Sequence, residues 1–153
     1  MPVSSEPAPI PIVRTPADER DGQFSPDGKW VAYESDESGR SEIYVQPFPG
    51  PAAKTRVSTG GATQVRWRPD GTELFYVAPS GDLMAVAVKL SGAQVTLGAP
   101  AVLFRTHFAP VRSISRQQYV VARDGQRFLI VTVAENASPP ITLVLNWKPP
   151  AAR

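Results

Sequence analysis

The sequence predicts an all-β fold of about three four-stranded antiparallel sheets, and three observations carry that expectation. A ten-residue pattern recurs. Phe24-Ser25-Pro26-Asp27-Gly28-Lys29-Trp30-Val31-Ala32-Tyr33 returns as Trp67-Arg68-Pro69-Asp70-Gly71-Thr72-Glu73-Leu74-Phe75-Tyr76, and in worn form as Val121-Ala122-Arg123-Asp124-Gly125-Gln126-Arg127-Phe128-Leu129-Ile130. In each copy an Asp-Gly pair stands between two apolar runs, a strong short-range signal of a β-hairpin. The apolar runs after each pair are consecutive rather than alternating, which suits strands covered on both faces.

The spacing sets the architecture. Asp27 and Asp70 are 43 positions apart, and Asp70 and Asp124 are 54 apart. The first interval matches a four-stranded propeller blade. The second is longer by 11, which places an insertion between Arg105 and Gln117. The fold expected is therefore a partial β-propeller.

Within each unit, Gly28, Gly71 and Gly125 supply the positive φ of a tight turn. Asp27, Asp70 and Asp124 are placed to bond backbone amides there, and Pro26 and Pro69 restrict the approach. A turn role explains both the spacing and the neighbours of these aspartates; a role as acids or metal ligands explains neither. Strands follow at Trp30-Val31-Ala32-Tyr33, at 74–78 and at 128–131. Second turns are expected at Glu37-Ser38-Gly39, Pro79-Ser80-Gly81 and Asn136-Ala137-Ser138-Pro139. Third strands follow at 43–45, 83–88 and 141–145, and outer strands at 54–58 and 101–105.

The third unit has no outer strand of its own after Trp147. Residues 10–15 offer a spare one: Val13 precedes Asp27 by 14 positions, as Val57 precedes Asp70 by 13. The expectation is that 10–15 complete the last blade beside 141–145, within the chain or in a dimer. Domain organisation follows. Residues 1–9 form an extended or disordered lead and 10–147 a single propeller-type domain. Its blades are 16–58, 59–105 and 106–147, and 148–153 form a tail.

Composition excludes several functions. The 153 residues are 42% hydrophobic, enough to bury a core. Sixteen Lys+Arg oppose 14 Asp+Glu, and the basic residues are scattered, so no nucleic-acid partner is expected. Cysteine is absent, which removes disulfides, cysteine-ligated zinc and cysteine catalysis. No run approaches the roughly 20 apolar residues of a spanning helix. The first twenty residues carry no continuous apolar core of a secretory signal. A soluble chain without membrane insertion is the expectation.

No catalytic residue, metal site or cofactor is predicted. The single histidine, His107, has no spaced partner to make a metal site. No Gly-x-Ser-x-Gly elbow accompanies it. The acids Asp18, Glu19 and Asp21, and Glu34, Asp36 and Glu37, lack the calcium-loop pattern and read as solvated loop charges. Trp30, Trp67 and Trp147, with Tyr33, Tyr44, Tyr76 and Tyr119, sit in or beside strand runs, where core packing accounts for them.

One register singles out contact residues. Asp21, Gln64 and Gln118 stand six positions before the turn aspartates; Phe24, Trp67 and Val121 stand three before. The bulky set packs between blades, and the polar set lies near a channel mouth. Asp21, Gln64, Arg66 and Gln118 are the candidate binding residues.

At these residues the chain resembles the bacterial WD40-like, TolB-like propeller repeat of the Ser-Pro-Asp-Gly type. It is most similar to the C-terminal propeller of bacterial receptor-type serine/threonine kinases. The resemblance rests on Ile43-Tyr44-Val45-Gln46-Pro47-Phe48-Pro49-Gly50, Val57-Ser58-Thr59-Gly60-Gly61 and the two Pro-Asp-Gly segments. It rests also on Asp124-Gly125-Gln126-Arg127-Phe128-Leu129 and Val144-Leu145-Asn146-Trp147. It covers about residues 20–147. It implies a non-catalytic binding, scaffold or sensor module that meets a protein or peptide, on an extracytoplasmic arm. Kinase loops are absent, so kinase activity does not carry over. Two copies of three blades would close a six-bladed ring as a homodimer. The alternatives are a propeller hydrolase with paired carboxylates across the axis, or a fragment whose role is only to complete a ring.

Overall fold

The computed structural model describes residues 9–50, 53–106, 108, 117–132 and 141–144. Among these residues there are twelve strands in three antiparallel sheets and no helix. The first sheet runs in order β1 (Glu19–Phe24), β2 (Trp30–Ser35), β3 (Glu42–Pro47) and β4 (Thr55–Arg56). The second holds β5 (Thr63–Trp67), β6 (Glu73–Val77), β7 (Asp82–Ser91), β8 (Gln94–Leu97) and β9 (Ala101–Arg105). The third holds β10 (Tyr119–Val121), β11 (Phe128–Val131) and β12 (Ile141–Val144).

The three Asp-Gly turns are built alike. In each, the glycine amide donates back to the carbonyl three residues earlier: Gly28 to Ser25, Gly71 to Arg68, Gly125 to Ala122, at 2.8–2.9 Å. The glycine φ angles are 70°, 75° and 65°. Each aspartate Oδ1 accepts the amide two residues on, from Lys29, Thr72 or Gln126. These bonds favour the ionised carboxyl. Asp27 is lowered chiefly by the Ser25 hydroxyl, and Asp124 chiefly by the Gln126 amide. At Asp70 burial pulls upward, but the Thr72 hydroxyl and amide together with the Arg68 guanidinium outweigh it.

The turns also touch. A Cβ on Gly71 would lie 3.7 Å from Pro26, and one on Gly125 only 2.8 Å from Arg68 Nε. Gly125 thus leaves room for the Arg68 side chain of the preceding turn, whereas at Gly71 a Cβ would make only ordinary contact.

Consecutive burial in the second strands reflects sheets packed face to face. Counting from the turn aspartates, Ala32, Phe75 and Leu129 are equivalent, as are Val31, Leu74 and Phe128. Alternate residues of a strand point to opposite faces, so one set faces the next sheet and the other the preceding one. Trp30, Ala32, Ile43 and Val45 meet Val65, Trp67, Leu74, Tyr76 and Val86 between sheets one and two. Phe75, Val77, Leu83 and Ala85 meet Tyr119, Phe128 and Ile130 between sheets two and three. Leu129 and Val131 point onward from sheet three and are 43% and 44% exposed, whereas Phe75 and Val77 are buried.

Two differences from expectation are informative. Strand β7 is longer than 83–88 and serves two partners. Its first half pairs with β9, from Asp82–Arg105 to Ala85–Ala101. Its second half pairs with β8, from Val88–Leu97 to Ser91–Gln94. Residues 10–15 form no strand and are not paired with β12 in this chain. They lie instead on the outer face of sheet one, where Val13 packs on Val31, Tyr33 and Tyr44. The Gln46 side-chain NH2 holds this segment there through the Ile12 carbonyl. The expected insertion between Arg105 and Gln117, with His107, and the expected turn at 136–139, with Trp147, lie outside the described residues apart from Thr106 and Phe108.

Candidate functional site: a polar seam across the three sheets

The innermost strands carry the polar positions that the register singles out. In β1 and β5 the ladder slips, between Arg20 and Gln23 and between Thr63 and Arg66. At each slip one residue adopts a left-handed backbone, Asp21 at φ 50° and Gln64 at φ 60°. That conformation is costly for a residue with a Cβ, and a bulge re-aims its side chain.

The four candidate residues meet in two pairs, Asp21 with Arg66 and Gln64 with Gln118. Arg66 donates from one guanidinium nitrogen to both Asp21 oxygens at 3.2 Å, joining sheets one and two. Gln64 donates its side-chain NH2 to Gln118 Oε1 at 2.9 Å, and its Oε1 accepts the Gln118 amide at 2.7 Å. These bonds join sheets two and three. Gln64 and Gln118 are buried. Tyr119 adds a bond from its hydroxyl to the Gln64 carbonyl at 2.7 Å. Burial, the largest influence, raises the Tyr119 phenol well above its ordinary value, so it remains a donor.

Glu34 is the member that sequence reasoning missed. It is buried on β2 and accepts the Gln64 amide and the Ser41 hydroxyl. It is therefore a link between sheets one and two, not a solvated loop charge. A signal was available: Glu34 interrupts a buried run at the position equivalent to Val77 and Val131. Burial raises its carboxyl, the Gln64 amide opposes this, and the Asp21 charge adds to the rise. Asp18 and Arg20 pair at the surface, and Asp36 accepts the Asp18 amide.

A raised carboxyl has a definite linkage sign. The folded chain holds the Glu34 proton to higher pH than the unfolded chain, whose value is near the ordinary 4.5. Its contribution is full below that value and falls as pH rises through the raised folded value. Glu34→Gln keeps an acceptor and removes the charge. The stability difference between this variant and the natural chain should rise with pH across that window and then level off. Urea unfolding at a series of pH values checks it; a flat difference would remove Glu34 as a charged link. The gain at neutral pH should not exceed about 1 kcal/mol.

The remaining aromatic residues are structural where they can be placed: Trp30, Trp67, Tyr44, Tyr76 and Tyr119 are buried. Trp67 donates its indole NH to the Gln23 carbonyl of sheet one at 3.1 Å. Phe24, equivalent to Trp67, is 53% exposed and packs edge-on against Phe48. Among the described residues no group of three His, Cys, Asp or Glu is arranged to hold a metal ion. No helix among them is long and apolar enough to cross a membrane.

Successive antiparallel sheets, packed face to face with their inner strands joined by one polar seam, define a partial β-propeller of the TolB-like kind. TolB from Acinetobacter baumannii superposes with a TM-score of 0.56 at 18% identity, over 84% of this chain and 30% of TolB. This chain thus spans under a third of that structure's length. A provisional 6-phosphogluconolactonase from Bacteroides uniformis gives a TM-score of 0.47 at 14% identity, over 87% of this chain and 42% of its own. No family model and no curated protein matches the chain.

Proposed function

We propose that the chain is a non-catalytic binding module of propeller type, a stiff stack of sheets that docks a second copy of itself through the onward face of its third sheet. The observation supporting it is the exposure of Val120, Leu129 and Val131, at 57%, 43% and 44%. Val120 and Leu129 are directly paired across β10 and β11, so the apolar residues form one patch. Positions equivalent to Leu129 and Val131 are buried between the earlier sheets, so this face has the composition of a joint. In the setting suggested by the motif resemblance, the module is the sensor or scaffold arm of a bacterial signalling kinase.

The probe for the face is a second copy of the chain. Light scattering over a concentration series should show self-association. Leu129→Asp with Val131→Asp should remain monomeric while keeping a cooperative melting transition, because both side chains are partly solvated already. A natural chain that is strictly monomeric at high concentration would defeat this docking face. Closing a six-bladed ring from two chains would further require residues 10–13 to leave the outer face of sheet one.

A further inference from the structure

The opposite end of the stack carries a different surface, and an occupant is already seated on it. Residues Pro9-Ile10-Pro11-Ile12-Val13 cross the outer face of sheet one without joining its ladder. Val13 packs on Val31, Tyr33 and Tyr44, and Phe48 packs on the same cluster. Tyr33 and Tyr44 lie stacked, with ring centroids 6.0 Å apart. Phe24 and Phe48 meet edge-on at 5.0 Å.

A polar clamp fixes the segment's backbone. Gln46 donates its side-chain NH2 to the Ile12 carbonyl at 2.9 Å. The Tyr33 hydroxyl donates to the other end of Gln46, its Oε1, at 3.2 Å. The amide of Gln46 is thus oriented with its donor toward the segment. Beside the clamp lies a cavity of about 360 Å³ lined in part by Ile12, Val13, Asp21, Gly22, Val31 and Tyr33. Ile10 remains 65% exposed.

An aromatic-lined groove with a single side-chain donor aimed at a carbonyl suits a proline-rich extended chain. Such a chain is already extended, offers free carbonyls and loses little conformational entropy on docking. We infer that the outer face of sheet one is a binding groove for an extended, proline-rich peptide with β-branched apolar residues, and that residues 9–13 occupy it in cis as an intrinsic competitor. This rests on the reading of the chain as a binding module and names a ligand class for it, at a face remote from Leu129 and Val131.

The test uses the full chain carrying Leu129→Asp and Val131→Asp, so that the other face is silenced. Into it are introduced Ile10→Ser, Ile12→Ser and Val13→Ser, which strip the cis segment of its apolar anchors without shortening the chain. The probe is a fluorescently labelled peptide of residues 9–16, Pro-Ile-Pro-Ile-Val-Arg-Thr-Pro. Fluorescence anisotropy should show binding at least about tenfold tighter to the serine-substituted chain than to the chain with its segment intact, since a tethered competitor acts at millimolar effective concentration. Adding Gln46→Ala should weaken that binding about five- to tenfold, the loss expected for one hydrogen bond. A peptide carrying the same three serines should not bind.

Equal affinity for both chains, or no binding to either, overturns the inference. So does an undiminished affinity after Gln46→Ala. Should the serine-substituted chain fail to fold, Gln46→Ala in the intact segment gives a second reading. It should loosen the segment, seen as faster tryptic cleavage after Arg14, and unchanged cleavage there would count against the clamp. Peptide failure with self-association of the natural chain intact sinks only the groove. Binding without self-association sinks only the docking face. Dimerisation of the serine-substituted chain in place of peptide capture would assign the groove to a second copy instead.

Discussion

Phe75→Ala is expected to lower the free energy of unfolding by about 3–5 kcal/mol, the range for truncating a fully buried phenylalanine. Phe75 has no exposed surface, and its ring meets Phe128 edge-on at 5.1 Å. Phe128 in turn meets Phe104 at 5.6 Å, so the three rings hold sheet three against sheet two. A domain of this size has about 5–15 kcal/mol in all, so one substitution removes a large share. Urea denaturation followed by tryptophan fluorescence reads the change. Leu129→Ala, at the equivalent position one unit later, should cost only about 1 kcal/mol because its side chain is 43% exposed. Similar losses at the two positions would mean that sheet three is not docked as described.

The second large effect is expected at Gln64. Gln64→Ala removes both side-chain bonds to Gln118 and leaves the buried Gln118 side chain and amide without those partners. A cost of about 1–3 kcal/mol follows from the loss of two buried hydrogen bonds. Backbone geometry adds a sharper test. At φ 60° alanine retains the Cβ penalty, and glycine does not. Gln64→Gly should therefore be more stable than Gln64→Ala by about 0.5–1 kcal/mol, although it deletes more of the side chain. Thermal melts of the three proteins decide it. An alanine variant more stable than the glycine variant would show that the left-handed backbone is not held in solution.

The recurring turn was legible because its chemistry is local. Proline, aspartate and glycine set φ angles and amide bonds over four residues, and Asp27, Asp70 and Asp124 sit in matching surroundings. Strand β9 was legible from its apolar run, and the register six before each turn singled out Asp21, Gln64 and Gln118, whose side chains take part in hydrogen bonds between sheets. What the register did not carry was that these three and Arg66 pair off across sheets. Hydrogen bonds between residues 54 apart depend on how the sheets approach, not on local pattern.

Glu34 escaped for the opposite reason. Its neighbours Asp36 and Glu37 made it look like part of a solvated acidic stretch, while its strand position was buried. Strand β8 escaped because it is short and half-exposed. Its alternation of Gln94, Val95, Thr96 and Leu97 after Gly92 at φ 59° was the available sign. Within the chain residues 10–15 lie on the outer face of sheet one, held by the Val13 contact and the Gln46 bond to Ile12, neither of which counting positions can show.

The seam also bears on how such a chain could be lengthened or shortened. Its two joints are made of unlike parts: a carboxylate with a guanidinium at one, a pair of amides at the other. Excising residues 59–105 would bring Asp21 opposite Val120, the counterpart of Arg66, and strand a carboxylate with no cation. The repeats are thus mated in sequence, like lock and key, and are not interchangeable bricks.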